Sequence, residues 1–358
     1  MKSVKDFNIV LIGGAGFIGH NLALALNQLG AKVDIIDSLQ VNNLYSFGNV
    51  FSSSNSNLNR DLYLSMINER LDLIRRSNIS LHLQDARDYH ALSRMLVKIK
   101  PDIVIQLAAV SHANQSNKDP FSTFDHSLRT LENALDASRG MVKHFIYFSS
   151  SMVYGHFNFN NGVATEEMPC NPIGIYGALK YSGEKIVIAY NQVFDLPYTI
   201  LRPSALYGER CVSRRVGQIF LENAVQGKNV IVHGTGTDKL DFTYIQDLIQ
   251  GVIKVIENPN SINQIFNITY GHGREIREMA ELLKEDFPSI QIEYLPKDSL
   301  TPDRGTLCVE KAKCLLGYDP QYPLERGYRE YIKWYRELMT YKIESLDRSI
   351  KLKNMVAL

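Results

Sequence analysis

A glycine-rich turn separates the first apolar run of the chain from the first stretch with helical spacing. The run is Asn8–Ile12, and residues 13–19 after it read GGAGFIG. Residues 17–29 then repeat apolar side chains at helical intervals, and a second apolar run over residues 31–36 ends at Asp37. Buried parallel strands have such short apolar runs, and glycines permit the tight turn between strand and helix. The pattern predicts a βαβ unit, the building block of an α/β fold.

The same alternation continues through the first half of the chain. Strands are expected at Ser80–Leu83, 103–107 and His144–Phe148, with helices between them at 60–77, 90–98 and 124–137. Regular alternation of strand and helix predicts a parallel sheet with helices on both faces. We therefore predict a Rossmann-type doubly wound domain over residues 1–181, to which a later segment, about 232–260, returns.

The pattern loosens after residue 181, where Pro and Gly become frequent. Residues 198–201 and Val230–His233 have the composition of strands that belong to different sets. We predict a smaller mixed α/β lobe over 182–336 that supplies the substrate side, followed by a tail at 337–358. Residues 42–59, rich in Ser and Asn and without periodicity, are predicted to be an exposed and partly mobile insertion.

Composition excludes several classes of partner. Of the 358 residues, 39 are basic and 38 acidic, and this balance disfavours a nucleic-acid binder, which needs clustered basic excess. Apolar stretches stay short of the ~20 residues of a membrane span, and no signal peptide is recognised, so a cytoplasmic protein is expected. Metal-ligand spacing is absent from the sequence, and free thiols are expected at all four cysteines, Cys170, Cys211, Cys308 and Cys314.

The glycine turn also carries chemistry. Gly13, Gly16 and Gly19 allow the backbone to approach a pyrophosphate closely, and the helix start, with the N–H groups of Phe17 and Ile18, would face the anion. A glycine-rich string alone is weak evidence, but here a strand precedes it and a helix follows it. The context predicts a dinucleotide site.

Asp37 selects between the two nicotinamide dinucleotides. It ends the second strand, 18 residues after Gly19. A carboxylate there accepts hydrogen bonds from the adenosine ribose hydroxyls and would repel a 2′-phosphate. The expected cofactor is therefore NAD, in preference to NADP.

A tyrosine and a lysine supply the candidate catalytic pair. Tyr176 and Lys180 are four residues apart at the start of a predicted helix, so both face one side. A nearby ammonium favours phenolate over phenol, and the phenolate could accept a hydroxyl proton. The same spacing recurs at Tyr181 and Lys185, on a different side of the helix, and we favour Tyr176 because it follows a Pro/Gly-rich loop.

These features resemble the extended short-chain dehydrogenase/reductase family, in particular its nucleotide-sugar epimerases and dehydratases of the UDP-glucose 4-epimerase type. The resemblance covers roughly residues 7–336. Its signatures occur in family order: the glycine loop, Asp37, DARD at 85–88, LAA at 107–109, SSSMVYG at 149–155, Tyr176 with Lys180, LRP and LYG over 201–208, and DFTY with DL over 241–248.

The resemblance implies roles for individual residues. Asp85 and Ala86 would meet the adenine. The catalytic hydroxyl would be Ser150, three residues before Val153, with Ser149 and Ser151 as near alternatives. The remaining implied cofactor contacts, around the nicotinamide, are Leu107, Ala108, Ala109, Ser111, Ser149, Tyr176, Lys180 and Pro203.

The chain departs from the family pattern on the substrate side. Dehydratases usually carry Asp-Glu after the catalytic Thr, whereas Ser151 and Met152 stand here, which disfavours water elimination. Ala205 stands where many relatives have an Asn that touches the diphosphate. Leu240 and His126 replace a frequent Arg and a frequent Asn. We assign Ser151, Met152 and Ala205 to the substrate side, and the candidates for replacing the lost phosphate contacts are Arg210, Arg214, Arg215 and Arg304.

The leading hypothesis is an NAD-dependent nucleotide-sugar epimerase that inverts C4 of a UDP-linked hexose through a transient 4-keto sugar. The alternatives are a nucleotide-sugar reductase, a decarboxylase or a 4,6-dehydratase of the same family. A non-catalytic sensor is disfavoured because Ser150, Tyr176 and Lys180 are all present. In this family the helices at 124–137 and 176–192 pair between subunits, so a homodimer is expected.

Overall fold

A computed structural model describes residues 3–48, 57–110, 113–157, 163–297 and 302–356. Its strands, in chain order, are β1 Asn8–Ile12, β2 Lys32–Asp37, β3 Ser80–Leu83, β4 Ile103–Gln106, β5 His144–Phe148, β6 Val163–Ala164, β7 Tyr198–Arg202, β8 Leu206–Tyr207, β9 Val230–His233, β10 Lys239–Leu240, β11 Thr243–Tyr244, β12 Gln264–Asn267, β13 Arg274–Glu275, β14 Ile292–Leu295 and β15 Thr306–Leu307.

The α-helices are α1 Phe17–Gln28, α2 Leu44–Gly48, α3 Asn57–Arg76, α4 Tyr89–Ile99, α5 Ala113–Lys118, α6 Pro120–Phe124, α7 Thr130–Ser138, α8 Gly174–Phe194, α9 Val216–Val225, α10 Ile245–Glu257, α11 Ile276–Asp286, α12 Glu310–Leu316 and α13 Leu324–Val356. A π-helix at Asp125–Arg129 joins α6 to α7, and 3₁₀ turns lie at Val4–Asp6, Ser151–Tyr154 and Pro259–Ser261.

Seven parallel strands form the central sheet, in the order β12-β7-β5-β4-β1-β2-β3. All residues of β4, β5 and β7 are buried, and most of them are apolar, as expected for strands covered on both faces. The strand order reverses at β1, which pairs with β2 on one side and with β4 on the other. A crevice for ligands forms at such a switch point, beyond the carboxyl ends of the strands.

Side chains of β1 alternate between two cores, one on each face of the sheet. Ile9 and Leu11 belong to a core shared with α1, α3 and the later helices. Val10 and Ile12 belong to a second core shared with α4, α7 and α8. The predicted doubly wound Rossmann-type architecture is therefore present.

The smaller lobe is built from short strand pairs. β9 pairs with β14 and β8 with β11 in parallel, while β10 pairs with β13 in antiparallel orientation. Helices α9 and α11 pack beside β9. This mixed α/β arrangement matches the predicted character of the second lobe.

The expected boundary at residue 181 differs from the edge of the sheet. β7 and β12 both belong to the central sheet, and α10 packs against α1. The chain therefore returns to the first domain through 198–202, 245–257 and 264–267, of which only 245–257 falls within the expected returning segment, about 232–260. Val230–His233 pairs with β14 in the smaller lobe. The reason is that strand pairing is non-local and leaves little trace in local composition.

Two other expectations concern the edges of the molecule. Within the expected insertion, α2 and the start of α3 are helical, and residues 49–56 lie outside the described residues. The tail expected at 337–358 continues α13 as far as Val356. Over the described ranges, no helix combines the length and the apolar character that a membrane crossing requires.

Candidate active site

The glycine turn after β1 lies directly against the end of β4. Gly13 has a φ of +81°, and a Cβ added to it would lie 2.6 Å from the backbone nitrogen of Ala108. A Cβ on Gly19 would lie 2.5 Å from the backbone of Gly14. Neither position has room for a side chain, so the turn leaves a cradle of bare backbone in front of α1. Gly16 caps that helix without a side-chain hydrogen bond, which leaves the first N–H groups of α1 available to an anion.

Asp37 ends β2 beside this cradle. Its carboxylate accepts hydrogen bonds from the backbone N–H groups of Ala15, at 2.9 Å, and of Leu39, at 2.7 Å. Burial raises the pKa of Asp37, and these two hydrogen bonds oppose that effect. The side chain is thus fixed at the rim of the cleft, with oxygen lone pairs left for the hydroxyls of a ribose.

A cleft with about 880 Å³ of open space runs along the carboxyl ends of β1, β2 and β4. Ser111, predicted to be a cofactor contact, lies outside the described residues. The predicted cofactor residues that line this cleft are Gly13, Gly16, Phe17, Ile18, Gly19, Asp37, Asp85, Ala86, Leu107, Ala108 and Ala109.

The end of the cleft beside Asp85 contains a charged network. Asp85 pairs with Arg87 at 2.6 Å, and Arg87 also pairs with Asp125 at 3.0 Å. Burial raises the pKa of Asp85, but the hydrogen bonds from Arg87 outweigh it and the net shift is downward. Asp85 is therefore held as an anion at the wall of the cleft, where it can accept a hydrogen bond.

Sequence reasoning missed Arg70, which also lines the cleft. It is fully buried on α3 and donates to the carbonyl oxygens of Arg210 and Asn42. Arg70 lies close enough to the Asp37 carboxylate to oppose the effect of burial on its pKa. The sequence offered one weak signal: no acidic residue stands three or four positions from Arg70, so the helix itself gives this arginine no ion-pair partner.

A second cavity, of about 1,100 Å³, continues from the first, and both are lined by Ile18, Leu107, Ala109 and Arg215. The remaining predicted residues that line it are Ser149, Ser150, Ser151, Met152, Tyr176, Lys180, Pro203, Ala205 and Arg304. The shared lining residues make the two cavities adjoining parts of one groove. We refer to the second one as the catalytic cavity.

The serine run becomes a turn at the end of β5. Ser150 caps the 3₁₀ turn Ser151–Tyr154, and its Oγ accepts a hydrogen bond from the N–H of Met152 at 3.2 Å. Backbone N–H groups of Ser149 and Ser151 donate to the carbonyl oxygens of Leu201 and Pro203 on and after β7. Two strands thus fix the position of the Ser150 hydroxyl.

Tyr176 and Lys180 lie on the first turns of α8. The Nζ of Lys180 donates to the carbonyl oxygen of Phe148 at 2.6 Å and lies 5.2 Å from the centre of the Tyr147 ring. Burial lowers the pKa of Lys180 to about 8, the Glu184 carboxylate opposes that shift, and Arg215 adds to it. The ammonium beside Tyr176 is therefore buried and loses its proton more readily than an exposed lysine.

The second tyrosine–lysine pair has other surroundings. Tyr181 packs against the small apolar cluster of Val153, Tyr154 and Phe157, and the Nζ of Lys185 lies 5.0 Å from the centre of its ring. Of the two tyrosines, it is Tyr176 that lines the catalytic cavity.

The four candidate arginines separate into two groups. Arg304 lies in the catalytic cavity and donates to Ser151 Oγ at 3.1 Å. Burial lowers the pKa of Arg304 to about 10, with a further contribution from Arg215. Arg215 lies where the two cavities meet, and its buried Nε has no hydrogen-bond partner among the described residues.

The other two arginines lie outside the catalytic cavity. Arg210 pairs with Glu69 at 3.0 Å and donates to His20 at 3.0 Å. Arg214 is largely exposed and lines a neighbouring cleft beside α5 and α6. The structure therefore places Arg215 and Arg304 near the candidate catalytic residues, and Arg210 and Arg214 apart from them. Arg210, Arg214 and Arg215 lie within six residues of one another, and the sequence gave no means of telling which of them would face inward.

A family model described as the NAD dependent epimerase/dehydratase family matches residues 9–269. Protein CapI of Staphylococcus aureus is 29% identical over 355 residues, which span 92% of this chain and 98% of that protein. The dTDP-glucose 4,6-dehydratase of Haemophilus influenzae is 26% identical over 356 residues, 92% of this chain and 97% of that protein. Among solved structures, UDP-glucuronic acid 4-epimerase from Bacillus cereus in complex with UDP-glucuronic acid and NAD has 25% identity and a TM-score of 0.80, covering 92% of this chain and 99% of its own.

The match and the geometry agree on the cofactor. The bare-backbone cradle at Gly13, the open start of α1 and the carboxylate of Asp37 are the features that a dinucleotide requires, and the matched family depends on NAD. The chain belongs to the NAD-dependent epimerase/dehydratase family of extended short-chain dehydrogenases/reductases, and its cofactor is NAD.

Proposed function

We propose that the protein is a nucleotide-sugar 4-epimerase, which inverts C4 of a UDP-linked hexose through a transient 4-keto sugar. The observation that carries the proposal is the continuity of the two cavities, with Ser150, Tyr176 and Lys180 in the part that adjoins the cofactor cleft. A sugar held there would present a hydroxyl group to these side chains and the carbon that bears it to the cofactor.

Three side chains of the catalytic cavity take part in the proton transfer. Tyr176 accepts the proton of the 4-hydroxyl and later gives it back, and Ser150 holds the same oxygen by a hydrogen bond. Lys180 lies one helical turn after Tyr176 and lines the same cavity, so its ammonium can stabilise negative charge that develops during the proton transfer. NAD, which the glycine turn and Asp37 would hold, would supply a hydride acceptor and donor beside C4, so that no net oxidation would result.

The chemistry of the cavity wall argues against a 4,6-dehydratase. Elimination of water needs a carboxylic acid and a base beside the sugar. Among the described residues that line the catalytic cavity there is no Asp or Glu, and Ser151 and Met152 occupy the positions after Ser150. The wall instead carries Lys180, Arg215 and Arg304, a set of cations suited to an anionic substrate.

Two arginines are suited to the diphosphate of a nucleotide sugar. Arg215 and Arg304 both line the catalytic cavity, and repulsion from the Arg215 guanidinium helps to lower the pKa of Arg304. A diphosphate between them would neutralise that repulsion and supply a partner for Arg215 Nε. We therefore propose Arg215 and Arg304 as the diphosphate contacts, in place of the Asn that many relatives have at the position of Ala205.

A panel of UDP-, GDP-, dTDP- and CDP-sugars, followed by NMR in deuterated water, tests the proposal. We expect a UDP-hexose to convert to its 4-epimer without added reductant. The product should carry no deuterium at C4, because the hydride comes back from the cofactor.

Two outcomes would contradict a C4 epimerase. Deuterium at C3 or C5 would indicate enolisation next to a keto group. Steady accumulation of NADH, or a requirement for it, would indicate a net oxidoreductase such as a reductase acting on a keto sugar.

A further inference from the structure

A buried ion pair lies directly beneath the catalytic cavity. Glu184 on α8 and Arg202 at the end of β7 pair through two hydrogen bonds, from Arg202 Nε at 2.9 Å and from Nη2 at 2.7 Å. Their side chains are 1% and 3% exposed. Placing two charges out of water costs several kcal/mol each, and well-packed apolar residues of similar size often give equal or greater stability. The fold alone gives no reason for a pair at this place.

Both partners of the pair hold the serine turn. The carboxylate of Glu184 accepts a hydrogen bond from Ser149 Oγ. Arg202 Nη1 donates to the hydroxyl oxygen of Tyr154 at 2.9 Å, and Tyr154 donates onward to Asn267 at 2.8 Å. Ser149 and Tyr154 flank the segment 150–153, so the ion pair clamps the residues that immediately precede and end the turn containing Ser150.

The same carboxylate acts on the lysine. Glu184 follows Lys180 by one helical turn, so both side chains lie on one side of α8. The charged and aromatic groups that face Lys180 are Glu184 from its own helix, Arg215 from the smaller lobe and the Tyr147 ring from β5. Of these, Glu184 supplies the negative charge that keeps the ammonium protonated against burial and Arg215.

We propose that Glu184, through its pair with Arg202, is a positioning residue that holds the Ser150 turn in place and keeps Lys180 charged beside Tyr176. Glu184 does not touch substrate; it acts through Ser149, Arg202 and Lys180. The inference rests on the proposed function for its turnover readout, and its structural readout is independent of any substrate.

The experiment compares Glu184→Gln, Glu184→Asp and Tyr154→Phe with wild type, all as the NAD-bound protein. Asp247→Asn is the matched control, because Asp247 is also a buried carboxylate and accepts hydrogen bonds from the backbone of Gln321 and Tyr322, outside the catalytic cavity. Amide hydrogen exchange over 149–154 measures the clamp. The pH dependence of kcat on the sugar identified above measures the charge state of Lys180.

For Glu184→Gln we expect exchange over 149–154 to rise at least about tenfold. We also expect kcat to fall by about 10- to 100-fold with little change in KM, because ground-state contacts to the sugar remain. Activity needs protonated Lys180, so it is lost as the pH rises through the pKa of that lysine. Without the carboxylate this pKa falls further, and the alkaline limb should move to lower pH by about one unit.

The other variants separate positioning from charge and from folding. Glu184→Asp keeps the negative charge, so its alkaline limb should return toward that of wild type. Tyr154→Phe keeps both charges and removes the hydroxyl group that accepts a hydrogen bond from Arg202. Amide exchange over 149–154 should therefore rise and kcat should fall, while the alkaline limb of the pH profile stays at its wild-type position. Asp247→Asn should lower Tm without altering exchange at 149–154 or the limb. If Glu184→Gln does not fold, Glu184→Asp and Tyr154→Phe still decide the matter.

The proposal is overturned if Glu184→Gln, or Tyr154→Phe where the first does not fold, leaves exchange over 149–154 unchanged. An alkaline limb that stays at its wild-type position in Glu184→Gln overturns the part that concerns Lys180. A wild-type protein that turns over no nucleotide sugar would instead contradict the proposed function, and the exchange measurements would still test the clamp.

Discussion

Tyr176 and Tyr181 lie five residues apart on α8 and have different surroundings. Tyr176 lines the catalytic cavity, whereas Tyr181 packs within an apolar cluster. Replacing Tyr176 by Phe removes the proton acceptor and keeps the ring. Because general acid–base catalysis contributes roughly 10²–10⁴-fold, kcat should fall by about that factor. NAD should remain bound, which release of nucleotide from the denatured variant will measure.

Tyr181→Phe is the matched control for that variant. The substitution removes the same hydroxyl from the same helix and preserves the packing of the ring against Val153 and Phe157. We expect kcat within about threefold of wild type, since the group touches neither cavity. Equal losses in the two variants would contradict the assignment of Tyr176 as the proton acceptor.

The sequence predicted the positions of side chains at the ends of strands better than the positions of side chains in loops. Asp37 is the last residue of β2, and Ser150 and Ala108 come two residues after β5 and β4, so the parallel sheet brings all three to one edge. Arg210 and Arg215 follow a loop of irregular backbone, and local sequence gives no direction for their side chains. The Glu184–Arg202 pair was missed for a related reason, since it joins a helix to a strand through side chains 18 residues apart in the chain.

At the scale of elements, six of the seven strands of the central sheet were predicted from the sequence, whereas β12 and the two-residue strands were not. β1, β4 and β5 each contain three or four consecutive apolar residues, which are typical of buried parallel strands. β8, β10, β11 and β13 have two residues each and exist only through their partners. A two-residue strand has no periodicity to detect, so its presence depends on tertiary contacts that the sequence does not display locally.

The turn between β1 and α1 can be tested with a pair of glycine substitutions. Gly13→Ala puts a Cβ 2.6 Å from the backbone of Ala108 at a φ of +81°, so the turn must shift where it faces the cofactor. We expect a loss of unfolding free energy of more than about 1 kcal/mol and weaker retention of NAD. Thermal unfolding and the nucleotide content of the purified protein provide the two measurements.

Gly140 gives the control for backbone strain alone. Its φ is +70°, and a Cβ there would meet nothing within 4 Å. Gly140→Ala should therefore carry the conformational cost without the clash, and NAD content should stay at the wild-type level. If Gly13→Ala binds NAD as fully as Gly140→Ala does, the close approach of backbone to cofactor at Gly13 is not required.

At the scale of the whole molecule, the site depends on both lobes at once. β1, β2, β4 and β5 contribute the cofactor side, while Arg215 and Arg304 come from segments beyond the first domain. β7 links the two parts, because Arg202 at its end pairs with α8 and Pro203 directly after it lines the catalytic cavity. A nucleotide sugar that touches Arg304 and Tyr176 together would therefore bridge the lobes, so its binding should stabilise their relative position.

The outer face of α8 leads to a prediction about assembly. Exposed positions along it recur at intervals of three and four residues, and they are mostly small or apolar: Ile175, Ala178, Ser182, Lys185, Ala189 and Val193. Small side chains in such a stripe allow two helices to approach closely, and a two-fold axis would bring the same stripe from each subunit into contact. We expect a homodimer at micromolar concentration, measured by light scattering.

Ala189→Arg should shift the dimer to monomer, because a long cation would stand in the middle of the contact. Leu83→Arg, the same kind of change at an exposed apolar residue on the edge strand β3, should remain dimeric. A wild-type monomer, or a dimer that Ala189→Arg leaves intact, would show that this face of α8 is not the subunit contact.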